Sequence, residues 1–203
     1  IDGNNGIGPW TVEGPNGNIW KFQNTGPNGA YTTGNQYIQS TTAANGAAIF
    51  ASDSAKTDWS VTPITIVASP VNWEASLVSP LLDLSASPYV EIEFQQRSRF
   101  CCDQSPFFLE VSTDGGFSWP TAFLTNPGLP LNQGAPGVGG GPVTTETRVF
   151  NLTNAIAADA TQVKFRFRHN SESGTSHYFW QVDDIEIRML GEYDLRLVSA
   201  ANT

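Results

Sequence analysis

The chain has 203 residues, room for one large domain or two small ones, and its formal charge of −9, from 19 acidic and 10 basic residues, argues against a general nucleic-acid binder. Charged residues are 14%, too few for a coiled coil or a charge-extended disordered chain, while 39% hydrophobic and 11% aromatic residues can fill a sizeable core. With 19 glycines, 13 prolines and abundant Ser, Thr and Asn, the composition points to a loop-rich all-β protein, and no apolar run approaches the ~18 residues of a membrane span.

The opening residues, from Ile1 to Trp10, lack the pattern of a signal peptide. Short strands are expected at Pro9–Val12, Ile19–Phe22 and Ala47–Ala51, joined by turns such as Pro15-Asn16-Gly17 and Pro27-Asn28-Gly29. From Trp59 to Leu84 further short strands are broken by Pro63, Pro70 and Pro80. Tyr89–Phe100 is the clearest strand: Ile92, Phe94 and Phe100 alternate with Glu91, Glu93, Gln95, Arg97 and Arg99. Phe107–Ser112 is a second, closed by the hairpin signal Asp114-Gly115-Gly116. Residues 126–142, dense in Pro and Gly, form a long surface loop before a strand at Val143–Leu152. Asn154–Thr161 is the one expected helical turn, and Gln162–His169 and Tyr178–Met189 are the last core strands. About ten to twelve short strands at this spacing predict a two-sheet sandwich. Residues 1–190 are expected to form one domain and 191–203 a linker or the opening of another.

Several residue groups carry possible chemistry. Lys164, Arg166 and Arg168 alternate with Val163, Phe165 and Phe167, so one face of their strand is basic. If that strand paired with Tyr89–Phe100, Arg97, Arg99, Lys164, Arg166 and Arg168 would merge with Glu91 and Glu93 into one polar patch. Such a patch is either a solvated face of weak ion pairs or a platform for a glycan, including an anionic one. Glu91 and Glu93 stand at the i, i+2 spacing of a glycosidase pair, but the third carboxylate of the E-x-D-x-x-E pattern is missing, with Gln95 and Gln96 nearby. His169 and His177 flank a hairpin with no Gly-x-Ser-x-Gly, and the glycines at 137–141 lack the Lys of a phosphate loop.

Asp183 and Asp184 interrupt the apolar strand Trp180–Ile187. Strict alternation would turn one of them inward, where it needs a calcium ion, an arginine or backbone amides unless a bulge exposes both. The adjacent Cys101 and Cys102 match no zinc pattern; free thiols, a vicinal disulfide and an intermolecular bond are the open readings. The vicinal disulfide is the one expected.

Four motifs then occur in order: Ser79-Pro80-Leu81-Leu82-Asp83-Leu84-Ser85; Leu109-Glu110-Val111-Ser112-Thr113-Asp114-Gly115-Gly116-Phe117-Ser118-Trp119; Val163–Arg168; and Tyr178-Phe179-Trp180-Gln181-Val182-Asp183-Asp184-Ile185. With Gly8-Pro9-Trp10 near the start, this series resembles the MAM-like jelly-roll modules of secreted bacterial proteins. The cleaved-adhesin domains of gingipain proteases are relatives, and many such modules sit in type IX-secreted proteins. The resemblance implies a two-sheet antiparallel jelly roll, non-catalytic and often calcium-stabilised, used for adhesion, carbohydrate binding or spacing. It implies calcium ligands at Asp2 and Asp184, with Asp53 a looser candidate, and Asp183 is the neighbouring carboxylate that the strand itself offers. The expectation is therefore a secreted or cell-surface accessory module with a glycan or surface-protein partner and flanking domains in the same polypeptide. A jelly-roll polysaccharide hydrolase or lyase and a ligand-free spacer are the competing readings.

Overall fold

The computed structural model describes residues 9–16, 19–32, 35–66, 73–86, 89–99, 107–126, 144–156, 160–171 and 178–190. Its first strands are β1 (Thr11–Glu13), β2 (Trp20–Gln23), β3 (Ala47–Phe50), β4 (Thr57–Asp58), β5 (Thr65–Ile66) and β6 (Trp73–Val78). The rest are β7 (Tyr89–Arg99), β8 (Phe107–Ser112), β9 (Thr121–Leu124), β10 (Glu146–Asn151), β11 (Lys164–Ser171) and β12 (Phe179–Leu190). Two five-stranded sheets face each other: a front sheet in the order β1-β6-β11-β8-β9 and a back sheet in the order β10-β7-β12-β3-β2, while β4 and β5 form a separate hairpin. Every pairing is antiparallel.

Alternation builds the core. On β7 the even residues Val90, Ile92 and Phe94 are buried, and on β11 Phe165 and Phe167 are fully so. Trp180 on β12 lies at the centre, stacked on Phe107 at 4.8 Å between ring centroids and edge-on to Phe167 at 5.8 Å. Its indole N–H donates to Gln96 Oε1 at 2.9 Å, and the Gln96 amide donates on to Thr125 O at 2.8 Å and Glu146 Oε1 at 2.7 Å. A fully buried glutamine is thus satisfied on both sides, as a buried amide has to be.

The pairing of β11 with β7, the condition for a single polar patch, does not occur. β11 lies between β6 and β8, while β7 lies between β10 and β12. Each strand has an apolar side, and the two sides meet across the core, where Phe94 touches Phe167 edge-to-face at 4.9 Å. Facing rather than flanking one another, the strands turn their polar sides to opposite surfaces of the sandwich.

Two short helical turns stand where none was expected: the five-residue helix α1 (Ser52–Lys56) and a 3₁₀ turn at Ala43–Asn45. Residues 154–156 form a turn and no helix. α1 is held by tertiary contacts, the Asp53 N–H and the Ser52 hydroxyl both donating to Tyr178 O.

Candidate ligand-binding face

The segment between β2 and β3 crosses the outer side of the back sheet as a strap, and the outward polar residues of β7 and β12 hold it there. Arg97 Nη1 donates to Tyr37 O at 2.6 Å. Arg99 Nη1 donates to Tyr31 O at 3.1 Å and Gln36 Oε1 at 3.2 Å, with its guanidinium 4.0 Å above the Tyr178 ring. Gln181 accepts from the Ile38 N–H and donates to Gln36 O. Arg97 and Arg99 therefore pin the strap, and the single patch joining them to Lys164, Arg166 and Arg168 does not form.

The paired aspartates serve the same strap. A bulge between Asp183 and Glu186, with Asp184 at φ 48, breaks the alternation of β12, so neither carboxylate enters the apolar core. Asp183 Oδ2 accepts from the Ser40 hydroxyl at 2.5 Å; burial pushes this carboxyl up, and the Ser40 bond opposes the shift. Asp184 accepts from the Thr41 N–H at 2.7 Å, the Thr42 N–H at 3.3 Å and the Thr42 hydroxyl at 2.5 Å. Asp53, fully buried at α1, accepts from the Tyr31 N–H at 2.9 Å and the Thr32 hydroxyl at 2.8 Å. Calcium wants about six to eight oxygen ligands. Both Asp184 oxygens face N–H and O–H donors, and Asp53 belongs to another cluster. Among the described residues no three His, Cys, Asp or Glu side chains are gathered to hold a metal. Asp53, Asp183 and Asp184 are therefore not gathered into one calcium site among the described residues. Asp2 lies outside the described residues, as do Cys101 and Cys102.

The other three basic residues stand in register on the outer side of the front sheet. β11 places Arg166 opposite Glu110 and Val78, and Arg168 opposite Phe108 and Ser76. Glu110, almost wholly buried, accepts from Nε of both arginines. Glu74 lies 3.8 Å from Arg168. Rings bracket this pairing, with the Arg166 guanidinium 4.2 Å from the Trp119 centroid and that of Arg168 5.3 Å from Phe108.

The β8–β9 turn sets Trp119 in place. Asp114 accepts from Ser118 N–H and Oγ and from Ser112 Oγ at 2.6–2.9 Å, bonds that hold its exposed carboxyl well below the usual carboxylate range. Gly115 and Gly116 adopt φ 77 and 96, which a side chain would strain, and a Cβ on Gly116 would also come within 3.2 Å of Lys164 Cδ. Phe117, 94% exposed, projects from this fixed turn. Sequence reasoning took Phe117-Ser118-Trp119 only as the strand after a hairpin. Two aromatics spaced i, i+2 behind a locked Asp-Gly turn were the signal for more.

On the back sheet, Arg188 lies among Glu91, Glu93 and Glu186 at 3.4, 2.9 and 2.7 Å. Hydrogen bonding to Arg188 pulls Glu186 below its ordinary value. Glu91 and Glu93 thus both ion-pair with the one guanidinium of Arg188.

The K1 cleaved adhesin domain of Lys-gingipain from Porphyromonas gingivalis W83 has a similar structure, at 17% identity and TM-score 0.50, covering 91% of this chain and 92% of that one. The K3 cleaved adhesin domain of the same protein, at 14% identity and TM-score 0.50, covers 89% and 91%. The carbohydrate-binding module TmCBM61, solved in complex with β-1,4-galactotriose, matches at 11% identity and TM-score 0.50 over 91% and 90%. The chain folds as a jelly roll. No family model matches its sequence, and no curated protein does. Among the described residues no helix is long and apolar enough to cross a membrane. On this jelly roll the strap covers much of the back surface, while the front surface carries the arginine–aromatic row flanked by exposed Thr11 and Glu13 on one edge and Ala122 and Leu124 on the other.

Proposed function

We propose that this jelly roll is a non-catalytic, extracellular glycan-binding or adhesion module whose ligand lies on the front sheet across Trp119, Arg166, Arg168 and Phe108, with Lys164 at one end. The observation that carries the reading is the row itself. Glu110 fixes two guanidinium groups, two rings bracket them, and all stand on rigid strands or a locked turn, so recognition costs little ordering. The charge on this face is nearly balanced, Glu110 and Glu74 opposing Lys164, Arg166 and Arg168. That balance, on a chain of charge −9, favours a neutral sugar or a single uronate over a polyanion. The similar module bound to galactotriose and the similar adhesin domains support the class of ligand. The MAM-like, type IX-secreted affiliation, with residues 1–190 as the module and 191–203 as a linker to further domains, belongs to the proposal and rests on the sequence motifs.

Isothermal titration against neutral and uronate-containing oligosaccharides tests the reading. Trp119→Ala should weaken binding at least about tenfold, or ~1.4 kcal/mol, with an unchanged melting temperature, and raising the salt should change affinity little. Glycan binding indifferent to both Trp119→Ala and Arg166→Ala would place the ligand elsewhere. The extracellular part of the proposal has its own check: with the vicinal disulfide that the sequence suggests for Cys101 and Cys102, the denatured, unreduced monomer should show no titratable thiol. Two free thiols would contradict it.

A further inference from the structure

A second surface on the molecule exposes aromatic rings that nothing in the front-face reading uses. Between β4 and β5 every residue from Trp59 to Ile64 is exposed, and Trp59, Val61 and Ile64 keep 51, 39 and 40% of their surface in water. Tyr31, on the strap, is 52% exposed. Large apolar side chains gathered at one end of a domain mark a contact surface more often than an accident of folding.

Adjacent residues of α1 hold the Trp59 ring and the Tyr31 backbone from behind. The Trp59 indole N–H donates to Ser54 O at 3.2 Å, and the Tyr31 N–H donates to Asp53 Oδ2 at 2.9 Å. The Ala30 N–H donates to Thr57 Oγ1 at 2.8 Å, which ties the strap to the base of the hairpin. Tyr31 also packs edge-on to Tyr178 with centroids 6.1 Å apart. With its N–H turned to Ser54, the exposed part of Trp59 is carbon surface.

Chemistry selects the occupant. Residues 59–66, Trp-Ser-Val-Thr-Pro-Ile-Thr-Ile, contain no charge and alternate apolar with hydroxyl-bearing side chains. A pyranose presents the same mixture, a face of C–H groups edged by hydroxyls, and it needs no countercharge. The nearest charge, Asp58 at the end of β4, is taken up by the Ser60 N–H and hydroxyl, so a charged peptide gains little here, and a lipid surface would have to desolvate the hydroxyls.

We infer that the Tyr31–Trp59 end is a second carbohydrate contact, taking an uncharged sugar through the C–H face of its ring. The inference goes beyond the front-face reading and does not depend on it. The two contacts lie toward opposite ends of β11. Trp119 sits over Arg166, while Trp73, 6.0 Å from the α1 lysine Lys56, pairs with Ser171. Arg166 and Ser171 are five residues, roughly 16 Å, apart along β11, so the two contacts are separate and one polysaccharide chain or two neighbouring chains can meet both, giving the module avidity on a polymer.

The test follows the tryptophan indole N–H signals by NMR during titration with neutral β-1,4-linked gluco-, manno- and galacto-oligosaccharides. The Trp59 signal should shift saturably with at least one of them, in wild type and in Trp119→Ala alike. On an insoluble polysaccharide, Trp59→Ala should lose at least about tenfold in apparent affinity while Trp119 still responds to the free oligosaccharide, and Trp59→Phe should recover part of the loss at an unchanged melting temperature. A Trp59 signal unmoved by every sugar overturns the inference, and so does one that moves with protein concentration alone, which would make this end an interface between copies of the chain. A Trp119 signal that stays still while Trp59 shifts would count against the front-face reading instead.

Discussion

Replacing Trp180 by alanine is expected to cost about 3–5 kcal/mol, the range for removing a fully buried large aromatic and leaving a cavity. The side chain is entirely buried, with Phe107 stacked on one side and Trp20 and Phe167 near its edges at 5.6 and 5.8 Å. Its loss also strips Gln96 Oε1 of the indole donor, and a buried acceptor left unpaired costs about a further 1–3 kcal/mol. The upper end of the range is therefore expected, a large share of the ~5–15 kcal/mol that holds a domain together. The damage should reach the front face, because the Gln96 amide holds Thr125, the residue after β9, and the hairpin of β8 and β9 carries Trp119. Urea denaturation gives the stability change. Trp180→Phe, which keeps a ring but no N–H donor, should lose appreciably less and isolates the hydrogen bond. A Trp180→Ala protein within ~1 kcal/mol of wild type would mean that the centre of the core has been misplaced.

Alternation made the strands legible and left their partners hidden. Phe107–Ser112 was read with its observed bounds, and Tyr89–Phe100 contains β7, with Phe100 outside the described residues, because polar and apolar side chains separate cleanly there. The same pattern says which side of a strand is buried but not which neighbour it joins. Hence the Arg97–Arg168 patch was expected on one surface, and its members lie on two. The doublet Asp183-Asp184 advertised a break in the alternation, and a bulge was among the outcomes it allowed. That the donors would be Ser40, Thr41 and Thr42, over 140 positions away in sequence, is carried by nothing local. α1 was invisible for the same reason: five residues cannot nucleate a helix on their own, and this one exists because Tyr178 O takes two donors from its first residues. Trp119 and Phe117 went unread as contacts because periodicity marks burial, and an exposed ring on a turn has no period.

The second large effect concerns the buried charge of α1. Lys56 is only 2% exposed, and burial lowers its pKa from the ordinary 10.5 to about 8, with the Asp53 charge acting in the opposite direction. Above about pH 8 the folded protein carries Lys56 neutral while the unfolded chain keeps it protonated up to about 10.5. The unfolded state binds more protons in that window, so this group makes stability rise with pH there. Below it, Lys56 is a buried ammonium whose charged form the nearby Asp53 charge favours. Asp53→Asn keeps an acceptor for the Tyr31 N–H and the Thr32 hydroxyl but removes the charge that favours the Lys56 ammonium, and at pH 7 it should cost about 1 kcal/mol or more. The cost should shrink as the pH rises toward 9.5, because Lys56 is by then largely neutral in the native wild type. Lys56→Met should flatten the slope between 8 and 10 and recover much of the stability lost by Asp53→Asn in the double variant. Denaturation midpoints at several pH values measure all three. An Asp53→Asn cost that is the same at pH 7 and 9.5 would show that Asp53 acts through its hydrogen bonds alone. In either case Gly29→Ala should destabilise the same cluster, since its Cβ would stand 2.5 Å from Asp53 Oδ2 and 2.8 Å from the Asp53 carbonyl carbon. Because this cluster sets Tyr31 and Trp59 in place from behind, a variant that loosens it should also weaken sugar binding at that end while leaving the response of Trp119 unchanged.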